Sequence, residues 1–127
     1  VSDRTDEPFA EVPENTYSFA AMYTLNTRLG TFTPRLDYSY VDDIFMGLDA
    51  GAGQNTSQAS FDDYFLLNAR IGWISPEARF EAALYGTNIT DEFYHFGAVA
   101  VGDSTGSFTR TSGPPRMYGA EFRYNFR

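Results

Sequence analysis

From Tyr118 to Phe126 the side chains alternate without exception. Tyr118, Ala120, Phe122, Tyr124 and Phe126 fall on one face, and Gly119, Glu121, Arg123 and Asn125 on the other. A period of two belongs to a β-strand, whose successive side chains point to opposite sides; no helical face has this spacing. The pattern recurs in Leu67–Trp73, with Leu67, Ala69, Ile71 and Trp73 set against Asn68, Arg70 and Gly72. It recurs in Arg35–Tyr40, where Leu36, Tyr38 and Tyr40 oppose Arg35, Asp37 and Ser39. Tyr17–Asn26 follows it with Ala20 and Met22 as exceptions, and Phe80–Asn88 follows it least well, since Ala83 and Tyr85 share the face of Glu81 and Thr87. Five antiparallel strands are expected, and no helix.

The connections between these strands alternate in length. Thr27–Phe32 and Ser75–Glu77 are short, whereas Met46–Ser60 and Phe96–Pro115 are long and rich in glycine and small polar residues. Short-long alternation is the habit of an up-and-down sheet in which one rim needs only turns and the other carries loops. Strands of about ten residues, tilted by about 45°, also match the height of a bilayer's apolar band. In a soluble sheet the apolar face packs on a second layer, but here the residues outside the strands are glycine-rich loops and an acidic leader. Arg35, Arg70, Arg123, Glu121 and Asp37 lie in mid-strand on the polar faces, where a wet interior suits them better than a packed core. The expectation is an all-β, antiparallel up-and-down transmembrane β-barrel segment, its apolar face toward lipid and its polar face toward a lumen. Aromatics near strand ends, among them Tyr17, Phe32, Tyr40, Phe45, Phe61, Tyr64, Trp73, Phe80, Phe93, Tyr94 and Tyr118, would form the interfacial girdles. Hydrocarbon leaves an open sheet edge unsatisfied, and the smallest single-chain membrane barrels have about eight strands. Five strands are therefore expected to be part of a larger barrel. The alternative is a soluble or secreted all-β binding domain whose apolar face packs on a partner.

Composition narrows the functions. The 127 residues include no cysteine and no lysine, and carry a formal net charge of −8. That balance argues against nucleic acid, which needs a basic footprint. The missing cysteines exclude a disulfide framework. Half of the net charge sits in Val1–Glu14, where five acids face one base, Arg4, and Pro8 and Pro13 break any period. This stretch reads as an irregular acidic loop, with the strands occupying residues 15–127. His95 is the one histidine and has no ligand cluster near it in sequence, so neither a metal centre nor a catalytic triad is expected. No cofactor is implied.

Four short segments make the reading specific. Asn88-Ile89-Thr90-Asp91-Glu92-Phe93-Tyr94 resembles the Asn-Leu-Thr-Asp-Glu-x-Tyr box near the end of TonB-dependent outer-membrane receptors. Gly113-Pro114-Pro115-Arg116-Met117-Tyr118-Gly119 resembles the Gly-x-Pro-Arg-x-Tyr-Gly segment that opens their last strand, and Phe122-Arg123-Tyr124-Asn125-Phe126 resembles their closing strand. Leu67-Asn68-Ala69-Arg70-Ile71-Gly72 is similar to the family's antepenultimate strand. The resemblance implies the last five strands of a 22-stranded barrel that encloses an N-terminal plug, in a bacterial outer membrane. It further implies active uptake of a scarce nutrient such as a ferric siderophore, and no enzymatic role. Partners implied are outer-membrane lipid and lipopolysaccharide, the remainder of the barrel and the plug domain, the barrel-assembly machinery, and the TonB complex through an N-terminal part this chain lacks. Arg127 departs from the family habit of ending on the aromatic residue.

Four sets of site residues follow. Phe122, Tyr124 and Phe126 are expected to be the signal read by the assembly machinery. Arg35, Arg70, Arg123 and Glu121 are expected to place charge in the lumen, pairing either with an absent plug or with wall acids such as Asp37 and Glu81. Asp42, Asp43, Asp62 and Asp63, flanking one long loop, are expected at the outer rim, where hard cations shared with lipopolysaccharide would find oxygen ligands. Asp91-Glu92 is a further acid pair at the same rim.

Overall fold

The computed structural model describes residues 12–45, 60–101 and 107–126. Most of the acidic leader, the interior of the first long loop and Arg127 lie outside the described residues. Among the described residues there are ten strands: β1 (Thr16–Met22), β2 (Leu25–Thr27), β3 (Gly30–Val41), β4 (Ile44–Phe45), β5 (Ser60–Phe61), β6 (Tyr64–Ile74), β7 (Phe80–Thr87), β8 (His95–Val101), β9 (Ser107–Ser112) and β10 (Met117–Tyr124). They divide into two compact units.

The larger unit is one open antiparallel sheet in the order β1-β3-β6-β7-β10, with β2 pairing β3 as a continuation of β1. Strands adjacent in the chain are adjacent in space, as the connection lengths predict. The registers Ala69↔Gly86, Ile71↔Leu84 and Trp73↔Ala82 join β6 to β7, and Tyr118↔Gly86, Phe122↔Ala82 and Tyr124↔Phe80 join β7 to β10. Paired residues share a face, so every apolar set read from sequence lands on the same side of the sheet. Ring contacts carry that side across to β3 and β1: Phe65 stacks on Tyr38, Tyr38 meets Phe19, and Tyr40 stacks on Tyr17.

Both short turns are built by local chemistry. At the first, Thr27 Oγ1 donates to Gly30 O at 2.7 Å and accepts from Leu29 N–H at 3.2 Å. Gly30 has φ 121°, and a β-carbon there would collide with the Ile74 carbonyl, so glycine is required. Trp73 Nε1 donates to Leu29 O at 2.9 Å and ties this turn to β6. At the second, Ser75 Oγ accepts from Phe80 N–H at 3.0 Å, and Ser75 N–H donates to Phe80 O at 2.9 Å.

Three strand expectations need correction. Tyr17–Asn26 is two strands, broken at Tyr23–Thr24. The strand expected to begin at Arg35 begins at Gly30 and runs straight through Pro34. One cause explains both: extending the Leu25↔Phe32 register places Tyr23 opposite Pro34, and Tyr23 N–H donates to Pro34 O at 3.0 Å, but proline has no N–H to return the bond. The long loops, finally, are not structureless. The smaller unit contains two two-stranded sheets, β4-β5 and β8-β9. Phe61 is buried there, with Ile44 and Ala98 packed against it, so it is a core residue of this unit rather than a girdle residue.

The larger sheet has almost no core of its own. Phe19, Leu84, Tyr118 and Phe122 on its apolar face are each more than 60% exposed. Burial of one such side chain is worth about 1.5–3 kcal/mol, so this face forgoes its largest source of stability in water.

Candidate functional site: a two-faced wall and its rim clasp

The polar face carries the charged residues singled out in sequence, and they find partners on it. Arg70 on β6 and Glu121 on β10 flank β7, and they bond through two contacts of 2.7 and 3.2 Å. The Arg70 guanidinium also lies 5.9 Å from the Tyr85 ring centre. Arg123 reaches Glu81 at 3.3 Å, whose other oxygen accepts from Asn125 Nδ2 at 2.9 Å. Arg35 and Asp37 pair along β3, with contacts of 2.6, 2.8 and 3.1 Å. All three arginines thus pair with acids of this same sheet. These pairs are solvent-exposed. Their value is in keeping opposite charges matched on a wet surface more than in stability.

Two tyrosine–glycine pairs lock β7 to β10. In the register pair Tyr118↔Gly86 the Tyr118 ring covers Gly86 on the apolar face, 2.9 Å from where a β-carbon would stand. In the next pair, Gly119↔Tyr85, the Tyr85 ring covers Gly119 on the polar face. Each ring occupies the space its opposite glycine leaves open, once on either side of the sheet. A slip by one residue would take both rings off their glycines, setting Tyr118 opposite Tyr85 in one direction and opposite Thr87 in the other.

The least expected feature is at the rim, in two of the boxes read as family resemblance. Asn88 is only 4% exposed. Its Nδ2 donates to Glu92 O at 2.9 Å and to Pro114 O at 3.2 Å, and its Oδ1 accepts from Glu92 N–H at 2.9 Å. Its own N–H donates to Asn68 Oδ1 at 2.9 Å, while the next amide, Ile89, donates to Leu67 O. Asp91 accepts from Arg116 N–H at 3.1 Å and faces the Arg116 guanidinium at 3.6 Å. Asn88 and Asp91 both have positive φ, 48° and 58°. That conformation suits Asn and Asp better than most residues. Asn88 therefore fastens the ends of β6, β7 and the approach to β10 into one clasp. The sequence marked these boxes as signatures without assigning them this role; an Asn and an Asp three residues apart in a tight bend were the available signal.

The remaining candidates are less concentrated. Phe122 and Phe126 are 69% and 88% exposed, and Phe80 packs at a tilt against Phe122 and Tyr124. Tyr124 in turn meets the Phe126 ring edge-on. In the smaller unit Asp42 accepts from Asn15 Nδ2 at 3.1 Å and from Asp43 N–H at 3.1 Å, and Asp62 and Asp63 are exposed. Among the described residues no group of three or more acids or histidines is gathered to hold a metal ion. His95 stacks on Phe61 and takes the edge of Phe93.

No protein-family model matches the chain, and no curated protein matches it. A solved structure does: the ferric yersiniabactin uptake receptor FyuA from Yersinia pestis superposes with a TM-score of 0.72 over 91% of this chain, at 22% sequence identity. The chain spans 16% of that receptor's length. The likeness is one of fold, and it agrees with the architecture read from alternation and the motif boxes. The chain thus has the fold of one stretch of that receptor: an all-β, open antiparallel sheet.

Proposed function

We propose that the chain is the C-terminal part of the barrel wall of a TonB-dependent receptor in a bacterial outer membrane, serving active uptake of a scarce nutrient such as a ferric siderophore. One observation carries the reading. On three strands the apolar face has an aromatic residue at each end, eight residues apart: Phe32 and Tyr40, Phe65 and Trp73, Tyr118 and Phe126. Eight residues at about 3.4 Å each, tilted by about 45°, separate the two rings by about 20 Å along the membrane normal, close to the roughly 25 Å apolar band of outer-membrane barrels. Between them lie Pro34, Leu36 and Tyr38, or Leu67, Ala69 and Ile71, or Ala120, Phe122 and Tyr124, with no charge on that face. The opposite face, with its matched arginines and acids, then lines the lumen. A soluble binding domain has no reason to repeat one aromatic spacing on three strands.

In this reading Val1–Glu14 is an outer loop, and Phe122, Tyr124 and Phe126 present the signal for assembly. The test is expression of the complete reading frame with an epitope on this chain. Outer-membrane fractionation, heat-modifiable gel mobility and growth on a ferric siderophore as sole iron source are expected together. A detergent-free monomer with heat-independent mobility would instead support the soluble domain.

A further inference from the structure

The break between β1 and β2 coincides with a groove. Residues Ala21–Tyr23, Pro34–Leu36, Ala69–Ile71, Leu84–Gly86 and Tyr118 line a trough of about 570 Å³ that crosses the sheet. Its floor is low because Ala21 and Ala69 offer the apolar face little side chain, and the Tyr118 ring, lying over Gly86, closes one end. Met22, Arg35, Arg70 and Tyr85, which register places on the opposite face, also line it, so the trough reaches the backbone along its length, the β1–β3 seam included. There Tyr23 N–H is satisfied by Pro34 O, while the return bond to the Tyr23 carbonyl cannot form, because residue 34 is proline. In hydrocarbon no water replaces that bond, and an unpaired carbonyl is costly. Thr24 and Thr33, the nearest hydroxyl residues along these strands, belong to the polar face by register.

We propose that this trough binds a hydroxylated acyl chain of a membrane lipid, its hydrocarbon lying over Ala21, Leu36 and Ala69 and ending against the Tyr118 ring, and its hydroxyl donating to the Tyr23 carbonyl. The inference rests on the lipid-facing reading of this face. An unsubstituted chain would fill the same space and leave the carbonyl unpaired. A peptide strand adds at a free sheet edge, whereas this seam lies inside the sheet, between β1 and β3. An apolar chain with one well-placed donor satisfies both features.

The test uses the complete barrel folded in phosphatidylcholine vesicles and checked by heat-modifiable mobility. The vesicles contain equal traces of two lipids that differ only in one acyl hydroxyl near the headgroup. Lipid retained per barrel after transfer to mild detergent is counted by native mass spectrometry. The hydroxylated lipid should be retained about five-fold over its counterpart, the fold-change of one net hydrogen bond. Pro34→Ala supplies the missing N–H, so it should bring the ratio close to one while leaving the unsubstituted lipid bound as before. Ala69→Leu should reduce retention of both. Equal retention by the unaltered barrel, or a ratio unchanged by Pro34→Ala, overturns the proposal while the wall reading stands. A chain that never becomes heat-modifiable in vesicles overturns both.

Discussion

Asn88→Ala removes the side chain at the centre of the clasp. It removes three hydrogen bonds made by one side chain, to Glu92 N–H, Glu92 O and Pro114 O. At about 1 kcal/mol net for each, their loss costs about 3 kcal/mol. Alanine must also hold φ 48°, which asparagine tolerates better, and this adds about 1 kcal/mol. The expected total is about 4 kcal/mol, large for a residue that contributes no apolar burial. Denaturant unfolding of the vesicle-inserted barrel, followed by gel mobility, measures it directly. Asn88→Gly separates the two causes, because glycine keeps the backbone geometry and loses only the bonds; it should cost about 3 kcal/mol. An Asn88→Ala barrel within about 1 kcal/mol of the unaltered protein would refute the clasp as a stabilising unit. A glycine variant less stable than the alanine variant would refute the backbone contribution.

The other expectations concern the wall and its ends. Gly119→Val drives a side chain into the Tyr85 ring and should cost about 1–3 kcal/mol, with much of the loss recovered in the Gly119→Val/Tyr85→Ala double variant; additive losses in thermal unfolding would contradict the interlock. Arg70→Glu sets two carboxylates against each other and should lower the thermal midpoint of the barrel, while Arg70→Glu/Glu121→Arg should restore it; a swap that restores nothing would show that the pair is incidental. Phe126→Ala should leave unfolding in vesicles nearly unchanged yet reduce, several-fold, the heat-modifiable fraction recovered from cells, and equal recovery would remove Phe126 from the assembly signal. Replacing Asp42, Asp43, Asp62 and Asp63 together by Asn should abolish any calcium-dependent rise in the barrel's thermal midpoint in lipopolysaccharide-containing vesicles; a response unchanged by the replacement would end their role at the rim.

Alternation made the wall legible because one residue in two must face the same way along a whole strand, and a single error of phase would show. Met117–Phe126 and Leu67–Trp73 were read with their faces correct, and even the irregular Phe80–Asn88 was informative: Ala83 and Tyr85 share the polar face with Glu81 because Tyr85 covers Gly119 there. Pro34 defeated the same logic. A proline argues against an interior strand, yet it removes only one ladder bond, and β3 keeps the rest. The strands β8 and β9 escaped notice because glycine and small polar residues fill Gly97–Pro115, and their pairing depends on chain folding back across the intervening residues. Arginine positions were legible as polar-face charge; their partners were not. Arg70 meets Glu121 across β7, a neighbour 51 positions away that only the sheet order brings near. Asn88 was visible as part of a box and invisible as a keystone, since its bonds are to backbone atoms whose positions no composition reveals.

The clasp also fixes where variation is cheap. Asn88 bonds at once to Glu92 and to Pro114, so the chain leaving β7 and the chain entering β10 are stitched together at the sheet's rim before residues 93–113 begin. Beyond it Gly113 N–H donates to Tyr94 O at 2.8 Å, closing the same doorway a second time. Everything between is carried as a cassette whose two ends are already joined. Lengthening such a segment adds little closure entropy, and its sequence has no part in the register of the wall. The segment between can therefore change in length and sequence while β7 and β10 keep their pairing.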